Sequence, residues 1–383
     1  MNILIITATY PPSVNGVAVS TMRTVSELRR LGHAVVIIGP DHKDNPDPDY
    51  IAFQTIRNVP FVPRDYPVIM PSLSQSQMNL LKKRRWDIIH VHHYKPVGSF
   101  ALSLGEVVHA PVVFTYHTQY DQYLETHARW IPTSIKKWLY HITVKDLCLR
   151  VHGVIATTQW LQHTLQKKFP HQNIYYASTA GLVSPFYVSG MKSTARHKYS
   201  IPPNVPVFLV VSRLAKEKNI PYILSAFSVW AKKHDKGMLL LAGDGLYKNH
   251  LEGLVQRSKN RSRVHFLGNI PNDQLFTWYS MADVFLYSSI TDTIGINILE
   301  AMSARLPVVA RNHITSREVV STGYNGILAN RGIKGFTYAM EEALRKKEKL
   351  SSGASKTAKE YLIQNTTNDL ISIYNDIIAR FYS

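Results

Sequence analysis

Short runs in which nearly every residue is apolar recur along this chain, separated by loops and by stretches with helical spacing. Asn2 to Ala8, Ala34 to Gly39, Pro111 to Tyr116, Val207 to Val211, Met238 to Ala242, Val284 to Tyr287 and Leu306 to Ala310 all have this character. A strand wetted on one face alternates polar and apolar residues. A strand apolar on both faces must be covered on both, and a parallel sheet between two layers of helices does that. The first forty residues spell out the repeating unit. Asn2 to Ala8 reads as a buried strand, and Thr9 to Ala18 as a loop with Pro11-Pro12 and Asn15-Gly16. Val19 to Leu31 has helical apolar spacing, Gly32 is a natural cap, and Ala34 opens the next strand. This βαβ opening belongs to a doubly wound α/β sheet. The loop after the first strand lacks G-x-G-x-x-G, so a dinucleotide fingerprint is absent.

A chain of 383 residues exceeds one ordinary core and suits two domains. The stretch Ser178 to Lys192, rich in Gly, Ser and Pro, reads as their boundary. The expected division is 1–188, 189–365 and a terminal helical segment 366–383. Hydrophobic residues make up 45% of the chain and charged ones 18%, which argues against long disordered tails. The single cysteine, Cys148, excludes an internal disulfide and a cysteine metal cluster and fits a reducing compartment. The first residues have no basic segment ahead of their apolar run, and no stretch approaches the roughly 18 apolar residues of a spanning helix. The expectation is a cytoplasmic protein, peripheral to the membrane if it meets one.

The formal net charge of +18, with a sequence pI near 9.7, points to an acidic partner: nucleic acid, anionic lipid or a phosphorylated substrate. No helix-turn-helix, RNP-like or zinc pattern is present, which disfavours nucleic acid. Between Arg129 and Lys168 the basic residues face one acid, Asp146. Within that span Trp130 to Leu149 has helical spacing, with Ile131, Ile135, Trp138, Leu139 and Ile142 as its apolar stripe and Lys136 and Lys137 beside them. Two readings stay open: a helix lying on an anionic membrane surface, and a core-facing helix with a solvated basic face.

Four places carry chemistry. The stretch Tyr287 to Ala310 reads strand, polar turn, helix, strand, with Asp292 and Glu300 bracketing Gly295 and Ile296. A polar turn feeding a helix start presents free N–H groups, which suit a phosphate. Arg213, Lys216 and Lys218 follow the strand Val207 to Val211, where cations suit a diphosphate. Gly243-Asp244-Gly245 is a tight turn at another strand end, and His117 follows the strand ending at Tyr116. Asp47-Pro48-Asp49 has the spacing of a metal-binding D-x-D but sits in an early surface loop.

Taken in order, Tyr10-Pro11-Pro12 with Asn15-Gly16, His117, Ser212-Arg213-Leu214 with Glu217-Lys218-Asn219, Gly243-Asp244-Gly245 and the Tyr287–Ala310 stretch resemble the retaining glycosyltransferases of family 4. The resemblance spans essentially the whole chain. It implies a GT-B fold, two Rossmann-like domains with the last helix returning to the first, and a nucleotide-diphosphate sugar as substrate. It further implies Arg213 and Lys218 on the diphosphate, with Gly16 and the N–H groups at Gly295 and Ile296 on its phosphates. Glu300 falls on the ribose, with Gly243 beside the nucleoside. Asp292 takes the first acid of the family's E-x7-E pair, on the donor sugar, and His117 lies by the reacting carbon. Metal-independent donor binding without a cofactor is expected. Asp292 for Glu, Arg305 for Gly and Ile294 for Phe depart from the family pattern. Around His117 and Asp292 the chain looks most like enzymes that glycosylate diacylglycerol. That implies glucose from UDP-glucose passing to a lipid hydroxyl at the inner face of the cell membrane, with Tyr120, Trp130, Lys136, Lys137 and Trp138 toward acceptor and anionic membrane. The alternatives are a mannosyltransferase using GDP-mannose on phosphatidylinositol or a glycan, a sugar-nucleotide epimerase of the same shape, and a non-catalytic basic membrane-binding protein.

Overall fold

In a computed structural model of the chain, residues 1–13, 15–41, 47–56, 68–117, 132–183, 187–289, 292 and 294–383 are described. They form two compact units, one of Met1–Gly181 with Ile363–Ser383, the other of Leu182–Leu362. The chain thus leaves the first unit at 181 and re-enters it at 363, against 188 and 366 read from the sequence.

The first unit is built on an eight-stranded sheet of β1 (Asn2–Ile6), β2 (Ala34–Pro40), β3 (Tyr50–Ile56), β4 (Val68–Met70), β5 (Ile88–Val91), β6 (Val112–Tyr116), β7 (Gly153–Ala156) and β8 (Ile174–Tyr176). Their order is β4-β3-β2-β1-β5-β6-β7-β8. All neighbours run parallel except β3 and β4. The strand order reverses between β1 and β5, which in open α/β sheets is where the carboxyl edge forms a crevice. On one face the helices Val97–Val108 and Gln159–Lys168 bury Ala101, Leu104, Leu161 and Leu165 against the sheet. On the other, the terminal helix Ile363–Tyr382 buries Leu370, Ile373, Tyr374 and Ile377 against Ile3, Ile5, Val113 and Ile155. Each such side chain is worth about 1.5–3 kcal/mol on burial, so this helix is a structural part of the first unit.

The stretch from residue 133 differs from the helix read in the sequence. Thr133–Tyr140 is α-helical, His141–Lys145 is a π turn, and Asp146–Arg150 is α-helical again. A π turn adds a residue to the helical ladder and rotates the next helical segment about the axis. The apolar stripe read from 3.6-residue spacing therefore does not carry through. Val144, Leu147 and Cys148 are buried, whereas Ile135 is exposed, Trp138 is 59% exposed, and Lys136 is only 7% exposed. The core-facing reading is reversed for the first half of this helix.

The second unit holds a six-stranded parallel sheet of β9 (Val207–Val211), β10 (Met238–Ala242), β11 (Val264–Gly268), β12 (Val284–Tyr287), β13 (Val308–Arg311) and β14 (Gly326–Ala329). The order is β11-β10-β9-β12-β13-β14, with its reversal between β9 and β12. Phe208, Phe227, Trp230, Leu241 and Phe336 are among its buried residues. Asp283, just before β12, is buried with Lys192 at 2.5 Å and Arg196 at 2.6 Å, tying the entry helix Met191–Lys198 to the sheet. No helix among the described residues is long and apolar enough to cross a membrane.

Candidate active site

In the second unit the reversal of strand order sets the site. Val211 ends β9 and Tyr287 ends β12, and a small pocket of about 10 Å³ lies at those two ends. Ser212, Lys218, Tyr287, Ser288, Ser289 and Asn297 line it. The loop after β9 is folded by local rules. Lys216–Lys218 make one 3-10 turn, Asn219 takes the left-handed conformation at φ 53°, which Asn tolerates, and Pro221 sits in the first turn of Ile220–Ala231. Ser288 donates to the carbonyls of Lys218 at 2.7 Å and Asn219 at 3.1 Å, so β12 pins the backbone that carries Lys218.

Lys218 and Asp292, 74 residues apart in sequence, meet here: Nζ donates to Oδ1 at 2.5 Å. The Tyr287 hydroxyl donates to Oδ2 at 2.6 Å. Burial opposes ionisation of Asp292, but the Lys218 charge and the hydrogen bonds from Lys218 and Tyr287 outweigh it and hold the carboxyl below its ordinary range. Burial, then the Asp292 charge, pushes the Tyr287 hydroxyl far up. Asp292 is therefore an ionised, doubly held acceptor. The shorter acid finds its partners because Lys218 reaches to it. Ser212 also carries a buried hydroxyl with no hydrogen-bond partner among the described residues. An oxyanion would satisfy it. The sequence marked Ser212 only as part of a motif.

The other predicted donor-site residues are less tightly grouped. Arg213 is 55% exposed on its side chain and pairs with Glu217 at 2.7 Å. Glu300 accepts from the Tyr279 hydroxyl at 3.2 Å. Gly295 is buried, and a Cβ there would meet Ile298 at 2.8 Å and the Tyr287 ring at 3.3 Å, so this turn packs against its own helix and β12 too closely for a side chain. The Ile296 amide bonds the Ile294 carbonyl at 3.1 Å, an interaction a phosphate would have to replace. Gly243 has φ 128°, and a Cβ would collide with the Ser212 carbonyl. That glycine is required by the close approach of the β10 and β9 loops.

In the first unit the crevice edge holds histidines. His90 lies in β5, His92 and His93 just past it, and His117 just past β6. Adjacent parallel strands place Val91 beside Phe114, and this register brings two same-face pairs into hydrogen-bond reach. His90 Nε2 meets Thr115 Oγ1 at 2.6 Å, and His92 Nδ1 meets His117 Nε2 at 2.8 Å. His90 Nδ1 is also 2.6 Å from the hydroxyl of Tyr374 on the terminal helix. His93 Nδ1 accepts from the Ala8 amide at 3.0 Å. Burial depresses all four rings, His90 to about 3 and His93 to about 4, with neighbouring rings adding to the effect at His92 and His117. All four are neutral at pH 7. His92 was not singled out in the sequence; its signal was the H-x-H-H run directly after an apolar strand. Gly16 opens the helix Gly16–Arg30, whose Ala18 amide donates to the Asn15 side chain at 3.0 Å.

Lys137 belongs to the helix bearing Lys136 and Trp138. Tyr120 and Trp130 lie outside the described residues. Asp47 is held by Arg29 at 2.8 Å, with Asp49 at 3.8 Å from the same guanidinium, so the D-x-D spacing serves an ion pair. Among the described residues no group of three or more His, Cys, Asp or Glu side chains is arranged to hold a metal ion.

Comparison with known proteins bears on both units. The family model "Glycosyltransferase Family 4" matches residues 14–178, and "Glycosyl transferases group 1" matches residues 191–361. An alpha-monoglucosyldiacylglycerol synthase of Streptococcus pneumoniae is 30% identical, covering 86% of this chain and 75% of that protein. The protein of the same name from Acholeplasma laidlawii is 28% identical over 86% of this chain and 85% of its own. A GDP-mannose-dependent alpha-mannosyltransferase of Mycolicibacterium smegmatis is 23% identical over 99% and 98%. Among solved structures, a glycosyltransferase from Rickettsia africae superposes with a TM-score of 0.75 at 19% identity, covering 98% of this chain and 99% of that one. This last likeness is one of fold.

Proposed function

We propose that this chain, which belongs to glycosyltransferase family 4 and has the GT-B fold, moves glucose from UDP-glucose to a hydroxyl of diacylglycerol at a membrane surface. The observation that carries the donor half is the pocket at the ends of β9 and β12. There a cation, a fixed carboxylate and a buried unpaired hydroxyl converge. In this reading Lys218 and Ser212, with Arg213 swung from Glu217, meet the leaving diphosphate and stabilise its charge as it develops. Asp292, already oriented by Tyr287, accepts from donor-sugar hydroxyls. Glu300 takes the ribose hydroxyls. His117 stands by the sugar. The diphosphate's charge is met by side chains and amides, without a metal cofactor. The departing phosphate takes the acceptor's proton.

The lipid half rests on the names of the two relatives at 28–30% identity and on Trp138, which stands in water beside Lys137 on a strongly basic chain. A second reading, mannose from GDP-mannose, is favoured by the mannosyltransferase that aligns over 99% of the chain. A charge-only, non-catalytic role gives way to the family assignment. The two enzymatic readings separate in one experiment. Thermal unfolding is followed with UDP, GDP and ADP, then transfer from the matching sugar nucleotides to diacylglycerol in vesicles with and without anionic lipid. UDP protection with glucosyl transfer is expected. Protection by GDP alone moves the assignment to the mannosyl reading, and no protection by any of the three at high ligand overturns both.

A further inference from the structure

The carboxyl edge of the second sheet carries a further cluster of charge, on the side of β12 away from β9. Arg311 ends β13, one residue beyond the Ala310 that pairs with Tyr287 of β12, and it pairs with Ala329, the last residue of β14. His313 and Arg331 thus follow two adjacent strand ends at the same remove. Arg317 closes the short helical turn Ile314–Arg317, and its Nε donates to Asn312 Oδ1 at 2.7 Å, which holds it by the strand end. The Arg311 guanidinium lies 4.9 Å from the Tyr222 ring centroid, and the Tyr222 hydroxyl donates to the Gly332 carbonyl at 2.8 Å. Those contacts carry the cluster on to Arg331 and to Lys334, in the first turn of the helix Ile333–Arg345. Arg317, Arg331 and Lys334 are exposed, and Arg311 and His313 are half-buried.

From Arg311 to Lys334 the chain has four Lys and Arg side chains and His313, against one acid, Glu318. The next acids, Glu341 and Glu342, lie farther along the helix, where they meet His234 and the pair Arg345 and Lys346. Burial, then the charges of Arg311 and Arg317, hold the His313 ring below its ordinary range, so these cations already crowd one another. An anionic partner offsets such self-repulsion. The cations are spread over three segments and do not converge on one point. Tyr338, 64% exposed, stands one helical turn beyond Lys334 on the same side. A bilayer surface offers many phosphates in one plane, and a headgroup layer that suits a tyrosine ring. We propose that this edge of the second unit, through Arg311, Arg317, Arg331, Lys334 and Tyr338, docks on the phosphates of an anionic lipid bilayer. Docking there brings the strand ends that carry the Lys218–Asp292 site toward the surface that holds a lipid acceptor. The choice of a bilayer rests on the reading that the acceptor is a lipid; the basic edge itself does not.

The test measures sedimentation of the full chain with phosphatidylcholine vesicles, with and without phosphatidylglycerol, at one fixed salt concentration. The triple variant Arg317→Gln, Arg331→Gln, Lys334→Gln removes three exposed charges from the edge. A control triple, Lys232→Gln, Lys233→Gln, Lys236→Gln, removes the same charge from the turn leading into β10, at the opposite edge of the same sheet. The first triple should bind the anionic vesicles about 100-fold more weakly than wild type, and the control should stay within about threefold. Transfer to a short-chain diacylglycerol in solution should be the same for both triples as for wild type. Equal losses in the two triples overturn the proposal, because net charge alone then explains binding. So does wild-type binding that is indifferent to phosphatidylglycerol. If the first triple keeps its vesicle binding and instead loses binding to a polyglutamate peptide, the edge takes an acidic protein and the membrane assignment falls. Should that triple not fold, Arg331→Gln with Lys334→Gln carries the same test, at about 30-fold. A wild-type chain that transfers no sugar, yet binds anionic vesicles through this edge, sinks the functional reading and leaves the docking surface standing.

Discussion

The two sheets put polar residues at the same topological place and handle charge there in opposite ways. At the β1–β5 reversal the first unit gathers His90, His92, His93 and His117 and keeps them neutral by burial. At the β9–β12 reversal the second unit gathers Lys218 and Asp292 and keeps them charged by pairing. A buried ionisable group has only these two stable solutions, to lose its charge or to face its opposite. Neutral rings can set the direction of a hydrogen bond without attracting ions. A charged pair can exchange its internal partner for an arriving anion.

Acid should break the comparison most sharply. A histidine depressed in the folded state favours the fold while deprotonated. Its contribution is present in full above the unfolded value near 6.5 and is lost as pH falls toward the folded value. His90 at about 3 and His93 at about 4 would each withdraw about 3 kcal/mol by pH 4. Asp292, depressed, contributes above its ordinary value and loses that only as pH falls further. Hydrogen exchange read by peptide mass at descending pH should therefore show 1–181 and 363–383 opening between about pH 6 and 4, while 182–362 stays protected. Simultaneous opening of both units would mean that the histidine cluster is not where acid acts.

Lys218→Met sharpens the other side. It leaves Asp292 buried beside a tyrosine with no cation. Breaking a buried pair costs about 3–5 kcal/mol, and side-chain exposures of 19% and 22% discount that to about 2 kcal/mol here. Urea unfolding at pH 7 without nucleotide reads the loss. Adding Asp292→Asn removes the stranded charge and should recover most of it. A single variant within about 0.5 kcal/mol of wild type would reclassify the pair as a surface contact.

How far these features were legible in the sequence depends on how local their causes are. Strands β9, β12 and β13 announced themselves because they are apolar on both faces, and His117 was found because it ends such a strand. His92 was passed over because its partner is fixed by the register of β5 against β6, and no local pattern records register. The Lys218–Asp292 pair spans 74 positions and became visible only with the fold. The helix after Thr133 misled because periodicity assumes one unbroken phase, and the π turn at His141–Lys145 changes it. Trp138, read as part of a stripe, stands in water instead.

Arg305 is a case where the sequence flagged an oddity and the structure supplies its cause. The helix Ile296–Ser303 ends in a paired closure: the Leu306 amide bonds the Ala301 carbonyl and the Arg305 amide bonds that of Met302, both at 3.0 Å. That geometry puts Arg305 at the left-handed position, φ 60°, where a side chain is strained and glycine is at ease. The Arg305 guanidinium lies 5.5 Å from the Tyr187 ring centroid, a contact that returns part of the cost. Arg305→Gly should therefore raise stability by about 0.5–1 kcal/mol in urea unfolding. It should also leave the Lys218–Asp292 double-variant recovery unchanged, because the strain is local to the helix end. A loss of stability instead would show that the Tyr187 contact outweighs the backbone and that the arginine is kept for what it touches.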